Sequence, residues 1–384
     1  MCFTVPGRSM LDVAELYHNR HLDPRWDNRL LDYDLAEFNW PKLFTEHIQS
    51  LYPAVTDLTQ LHKTLDTQQL ISLRKHLEQF CRSDQFQTQV DRFVRHMIKD
   101  RFDHDDYMIQ STPGLRIVVP NQAHKNRLLN FHTGYWTGYD NGTMTIWNPI
   151  TPAFGTNTMQ VTDWDTSRDL MVRIHRDKWK MDRIQAECEK VSWPVECKVG
   201  QSWLFQQGHL HGNVNNDTGQ TRLSFDVRVA SKDVNFGRRR PGSYYRFPNV
   251  NMTLNREQID QDRIWIAFVS PNDPYIDQAP YFMIREYLLQ WCKHLDIQPN
   301  EWSNEYHDCE WMPKFKDYIS KKNTGIVFAS VYNFSITPEE RIECFKEAIS
   351  NNVQMLFCDE NLLVRGEEDL ELVKRYYKFY YHKA

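Results

Sequence analysis

Between Tyr107 and Val229 the chain breaks into short β-type runs, "GLRIVVP", "TMTIWNPI", "TMQVTDW", "LMVRI", "QSWLFQ" and "TRLSFDVRV", each closed off by Gly, Asn, Asp or Pro. Runs this short cannot bury a face alone, so the region must close on itself as a sandwich or barrel. Its flanks follow other rules. From about Met10 to Lys99, "DLTQLHKTLDTQQLISLRKHLEQFCRSDQFQTQVDRFVRHMI" places apolar residues three and four apart, the period of a helix with one buried face. Beyond Asp262 the strands are apolar throughout ("RIWIAFVSP", "GIVFASVY", "VQMLFCDE") and alternate with helical segments such as "YFMIREYLLQWCKHLDI", "PEERIECFKEAISNN" behind Thr337 and Pro338, and "EEDLELVKRYYKFYY". Strands buried on both faces and separated by helices indicate a parallel α/β sheet. The expected fold class is therefore α+β followed by α/β. Residues 1–106 form a helical lead-in, 107–235 a β core, 236–261 a turn-rich linker, and 262–384 a small Rossmann-like α/β domain. No internal repeat relates the two halves.

Composition narrows the function classes. A formal net charge of -5 with both signs interspersed argues against a nucleic-acid coat, and "GRRRPGSYYR" is the one dense basic run. No apolar run is long enough for a membrane span, and the start "MCFTVPGRSMLDVAEL" lacks the basic-then-apolar order of a signal peptide, so a cytoplasmic location is expected. The 8 Cys are scattered without CxxC spacing, as reduced, buried thiols would be. A small-molecule partner fits this balance better than nucleic acid or membrane, and association into a homo-oligomer is left open.

Two segments carry the chemistry: "FHTGYWTGYDNGTMTIWNPITPAFGTNTMQV" and "HLHGNVNNDTGQTRLSFDVR". His132 in the first and His211 in the second are imidazoles on separate β segments, able to hold one face of a metal ion. Arg222 lies on the strand after His211, and a guanidinium fork takes a carboxylate in two parallel bonds. With these residues the stretch from Arg116 to Val229 resembles the phytanoyl-CoA-dioxygenase-like branch of the Fe(II)/2-oxoglutarate oxygenases. Within it the likeness is closest to oxygenases found beside bacterial carbohydrate and aminoglycoside biosynthesis genes. The resemblance implies a double-stranded β-helix (jelly-roll) core, with Fe(II), 2-oxoglutarate and O2 as cofactors. It carries over His132 and His211 as metal ligands and Arg222 as the 2-oxoglutarate residue. It also implies a dioxygenase that oxidises a C–H bond of a sugar-derived metabolite.

The sequence departs from that pattern at Gly134, where an acidic ligand is usual. Three readings follow. Water or another carboxylate, with Asp140 and Asp163 as candidates, completes the site of a hydroxylase. Alternatively chloride fills the vacancy, as in related non-haem halogenases. Or the metal is lost and the domain is a non-catalytic carbohydrate-binding scaffold. "DHDDY" offers His104 and Asp106 in the same spacing, and His209 rivals His211, but the surrounding similarity favours His132 and His211. Arg116, Trp136, Tyr139, Trp147 and Asn148 are candidates for a substrate pocket, whereas Asn157 and Arg228 read as turn and strand-pair residues.

The segment from Asp262 resembles a small domain of sporadic carbohydrate clusters and is loosely similar to the catalytic domain of serine recombinases. Its loops carry Asp273, Asp277, Asp359 and Glu360 where a recombinase needs arginines. Ligands of open α/β sheets sit at the carboxyl ends of the strands, which marks Ser270, Asn272, Asn333, Asp359 and Glu360 as a second candidate pocket.

Overall fold

A computed structural model describes residues 28–102, 107–121, 130–232, 234–237, 239–250, 254, 256–270, 281–305 and 311–381. His104, Asp106, Asn272, Asp273 and Asp277 lie outside the described residues. The chain is a mixed α/β protein that divides into two compact units, 1–237 and 238–384. Among the described residues no helix is long and apolar enough to cross a membrane.

The first unit is organised by one long strand, β9 (Arg222–Ser231). On one side β9 pairs antiparallel with β4 (Thr143–Pro149), which continues to β7 (Gln201–Gln206) and β1 (Arg29–Asp32); on the other it pairs with β3 (Gly114–Val118) and then β2 (Tyr107–Gln110). A small second sheet joins β6 (Trp193–Pro194), β5 (Gln160–Val161) and β8 (His211–Gly212), all antiparallel. Because strand side chains alternate, β9 shows two unlike faces. Leu223, Phe225, Val227 and Val229 enter the hydrophobic core, joined by Ile146 of β4 and Leu204 of β7. That core is closed by helices α1 (Trp40–Leu51), α2 (Thr67–Phe80) and α3 (Asp84–Ile98), with the Phe225 ring meeting Trp40 edge-on at 5.0 Å and Phe86 at 5.8 Å. The opposite face carries Arg222, Ser224, Asp226 and Arg228.

Two expectations need correction here. Arg29–Asp32 falls in the stretch expected to be helical but is a strand, held by its register against β7. "LMVRI" is the middle of helix α4 (Trp164–Arg176), followed by α5 (Met181–Val191). The Asp163 side chain caps α4 by accepting from Thr166 N at 2.8 Å, and Leu170, Met171 and Ile174 share its buried face. A five-residue apolar window does not separate that spacing from a strand.

In the second unit, β11 (Glu301–Asn304), β10 (Ile264–Val269), β12 (Thr324–Phe328) and β13 (Gln354–Phe357) run parallel in that order, and β14 (Leu362–Val364) adds antiparallel. The helices are α6 (Tyr281–His294), α7 (Pro313–Ile319), α8 (Pro338–Ser350) and α9 (Glu367–Tyr381). α8 opens with a capping box in which Thr337 and Glu340 satisfy each other's backbone N–H groups. Part of the stretch expected as a linker, 236–261, packs into this unit: Phe247 is buried and stacks on Tyr376 at 5.7 Å.

Candidate metal centre

His132 and His211 face each other as an antiparallel bridge, with both backbone N–H···O=C bonds at 3.0 Å and ring centroids 4.4 Å apart. Gly212 allows the approach, since a Cβ there would stand 2.8 Å from Phe131 N. Each ring is anchored within its own segment: His132 Nδ1 lies 2.8 Å from Asn130 O, and His211 Nδ1 lies 2.8 Å from His209 O. A carbonyl only accepts, so each Nδ1 carries the proton and each Nε2 keeps its lone pair, the tautomer a metal requires. Burial holds both imidazoles below their ordinary pKa, His211 far below, and each is further depressed by nearby positive charge. They stay neutral donors at pH 7. His209 has both nitrogens engaged, Nδ1 with Thr162 O at 3.0 Å and Nε2 with Asn28 Nδ2 at 2.5 Å, and so is no rival.

The space at Gly134 is filled by Gln207. A Cβ on residue 134 would stand 2.7 Å from Gln207 Cβ and 2.8 Å from its Cδ. Gly134 N donates to Gln207 O at 2.8 Å, and the buried Gln207 carboxamide donates through Nε2 to Thr145 Oγ1 at 2.7 Å. Neither carboxylate considered for the vacancy is spare. Asp163 caps α4, and Asp140 accepts from Asn141 N at 2.8 Å and Asn235 N at 3.1 Å. Asp226, whose charge reaches His132, is tied to Arg228 and sits over Gly114, where a Cβ would come within 2.8 Å of it. Among the described residues no cluster of three His, Cys, Asp or Glu side chains forms a metal site. The donor set is two imidazoles with a neutral amide beside them.

Arg222 is buried on the same face of the sheet as Asp226. Its Nη1 donates to Asn157 O at 2.9 Å and to Asn213 Oδ1 at 3.1 Å, and its guanidinium lies 5.5 Å from the Trp147 ring centroid. Among the described residues no carboxylate pairs with it, and its Nε has no acceptor. Burial pushes its pKa down to about 9, with Arg116 adding to the push. A desolvated cation without a counter-ion is costly, and an incoming carboxylate relieves that cost. Ser224 Oγ and Asn157 Nδ2 are also buried without partners. The polar repeat "GNVNNDTGQTR" is thereby explained: Asn213 braces Arg222, and Asn216 ties the turn through Val118 O, Gln220 O and Thr218 N.

The candidate pocket residues divide. Trp147 lies on the Arg222 face, packed with Phe205, whose ring meets His211 at 4.9 Å. Arg116 is opposite Ser224 and shares that face, and Tyr139 lies under Arg228 at 4.8 Å. Asn148, one residue from Trp147, points to the other side of β4, where Ser202 Oγ donates to it at 2.7 Å. Trp136, partly buried, packs against the cluster of Leu170, Met171 and Ile174. Arg228, read as a strand-pair residue, faces the site. The structure adds Gln207, Ser224, Phe205 and Asp226 to the site; the two-residue step from Arg222 along β9 reaches Ser224 and Asp226.

In the second unit Ser270, Asn333, Asp359 and Glu360 lie at the carboxyl ends of β10, β12 and β13. Among the described residues Ser270 Oγ and Asn333 Oδ1 are buried without partners. Asp359 accepts from Tyr287 OH at 2.7 Å. Glu360, pushed well above the usual carboxylate range by burial, accepts from Ser330 Oγ at 2.6 Å and Val331 N at 3.0 Å. It therefore braces two loops.

Comparison of the sequence with protein-family models and with curated proteins gives no match. Among solved structures the fold search finds a nickel complex of the non-heme monooxygenase ThoJ at 13% identity and TM-score 0.30, covering 55% of this chain and 76% of that one. It also finds the epimerase SnoN with Fe3+, alpha ketoglutarate and nogalamycin RO at 9% identity and TM-score 0.32, covering 63% and 87%. EctD from S. alaskensis, with 2-oxoglutarate and 5-hydroxyectoine, matches at 13% identity and TM-score 0.29, covering 54% and 73%. With TM-scores this low, the likeness assigns no activity to this chain.

Proposed function

We propose that the first unit is an Fe(II)/2-oxoglutarate-dependent oxygenase on a double-stranded β-helix, acting on a carbohydrate-derived metabolite. One observation carries the reading: among the described residues, two neutral imidazoles with their Nε2 atoms unengaged share a β core with a buried guanidinium that no carboxylate pairs with. The residues fit the group. His132 and His211 would hold the metal, and Arg222 would take the far carboxylate of 2-oxoglutarate, with Ser224 Oγ as a second donor. Bound there, ferrous iron with 2-oxoglutarate and oxygen supplies oxidation of an unactivated C–H bond, with succinate and carbon dioxide as co-products.

The chain's own part is orientation and exclusion of water. Asn130 O and His209 O fix the imidazole tautomers, Asn157 O and Asn213 hold Arg222 in place, and Phe205 and Trp147 cover the apolar side. Gln207 crowds the space beside Gly134, which favours oxygen transfer over halogenation. The carbohydrate class rests on the resemblance of the "GNVNNDTGQTRLSFDVR" segment. The second unit assists the first or handles the same substrate.

The test is anaerobic titration of the purified chain with Fe(II) and 2-oxoglutarate, with and without chloride, following the visible charge-transfer band of the chelate. The expected result is a band that requires His132, His211 and Arg222 and is indifferent to chloride. Strengthening by chloride would move the activity to halogenation, and absence of a band would leave a ligand-binding scaffold.

A further inference from the structure

The face that carries Arg222 holds more positive charge than the cosubstrate needs. Register places Arg116 opposite Ser224, Asp226 opposite Trp147 and Arg228 opposite Thr145, so all of them point to the side of the sheet that Arg222 occupies. Three guanidinium groups thus stand against one carboxylate, a surplus of two. Arg228 is matched by Asp226, whose carboxylate it meets directly while also reaching Gln110 Oε1 at 3.1 Å. Arg222 is the group that 2-oxoglutarate would take. Arg116 is left over.

Its guanidinium is half-buried, makes one hydrogen bond, from Nη1 to its neighbour's Leu115 O at 3.1 Å, and among the described residues meets no acid. It is nevertheless part of the site's face, since its register partner Ser224 lies two residues from Arg222 on the same side of the sheet. Fe(II) and the 2-oxoglutarate dianion cancel each other formally, so loading the centre does not remove the excess. A cleft with focused positive charge and low-dielectric walls concentrates anions. Half-buried arginines without partners are what planar oxyanions recognise in bidentate fashion.

We propose that the substrate is an anion, and that Arg116 is its specificity residue, taking a phosphate or carboxylate group on the molecule to be oxidised. This rests on the oxygenase reading and sharpens it: a neutral sugar lacks the feature recognised, and a sugar phosphate or uronate has it.

The test uses the full chain loaded with redox-inert Ni(II) and saturated with 2-oxoglutarate. Glucose 1-phosphate, glucuronate and glucose are titrated by calorimetry, with inorganic phosphate as a fourth probe. At least one sugar anion should bind tenfold or more tightly than glucose, and Arg116→Gln should erase the difference while changing 2-oxoglutarate affinity by less than about threefold. Arg116→Lys, keeping charge without the fork, should recover part of it. The preference for phosphate or carboxylate identifies the anion source. Equal or undetectable binding of all four probes overturns the proposal, as does an anion preference that survives Arg116→Gln. Unchanged thermal unfolding of the variant verifies that it is folded. Failure of the oxygenase reading shows separately, as absence of 2-oxoglutarate binding, and the same anion series on metal-free protein then still decides the role of Arg116.

Discussion

β9 and β12 are strands built to opposite rules. β9 alternates Arg222, Ser224, Asp226 and Arg228 with Leu223, Phe225, Val227 and Val229, so one sheet face is chemistry and the other is core. β12, "TGIVF", is buried at every position, and polar groups of its unit collect where the strands end, at Ser270, Asn333 and Asp359. A one-faced antiparallel sheet can place charges along its length, whereas a sheet covered on both sides keeps them at its edge. The residues of one unit are therefore found by counting in twos, and those of the other by finding where strands stop.

The sharpest break of this contrast is between neighbours on β9. Phe225→Ala should cost about 3–5 kcal/mol of stability, measured by denaturant unfolding, because a ring packed on Trp40, Phe44 and Phe86 leaves a cavity. Ser224→Ala, one residue away, should leave stability unchanged or raised, since its hydroxyl is buried without a partner; a comparable loss would mean the two faces are not separate.

Next in size is Arg222→Leu. Affinity for 2-oxoglutarate should fall about 100-fold, about 2.7 kcal/mol, while the ligand-free protein melts no lower than the parent. A lower melting point would make Arg222 structural. Gly134→Asp should cost about 2 kcal/mol through its clash with Gln207, and Gly134→Asp/Gln207→Gly, which removes the Cβ as well as the carboxamide, should recover much of it and bind Fe(II) more tightly than the parent; additive losses would refute the pairing of these positions.

The pH dependence is a smaller effect. Because His132 and His211 have depressed pKa values in the folded protein, the unfolded chain binds more protons, so stability falls as pH drops below about 6.5 and is fully present above it. The His211→Gln variant should show a shallower acid limb in unfolding midpoints between pH 7 and pH 5; an equal slope would place the acid sensitivity elsewhere. Smallest is Thr337→Ala in the second unit, a lost helix cap worth about 1 kcal/mol.

Much of this was legible in the sequence. The apolar strands and capped helices beyond Asp262 are there as read, since continuous apolar runs bounded by caps admit few alternatives. His132, His211 and Arg222 are marked out in the sequence by the family resemblance of the segments that carry them. What stayed hidden depended on contacts distant in sequence. Gly134 reads as a vacancy until Gln207, on another segment, is seen packed against it. Asn148 beside Trp147 could be sorted only once the buried face of β4 was known, and Trp136 only once α4 was seen to be a helix. Asp163 looks like a spare carboxylate until that helix begins beside it.

The anchoring of the two imidazoles has a consequence for engineering. Each ring is bound to the carbonyl two residues before it, and the two tripeptides, Asn130 to His132 and His209 to His211, are paired by two backbone bonds. Tautomer and mutual spacing are thus written into six residues. Such a unit is transplantable: a host hairpin that offers the same bridge and a glycine after the second histidine would inherit a preset bidentate chelate.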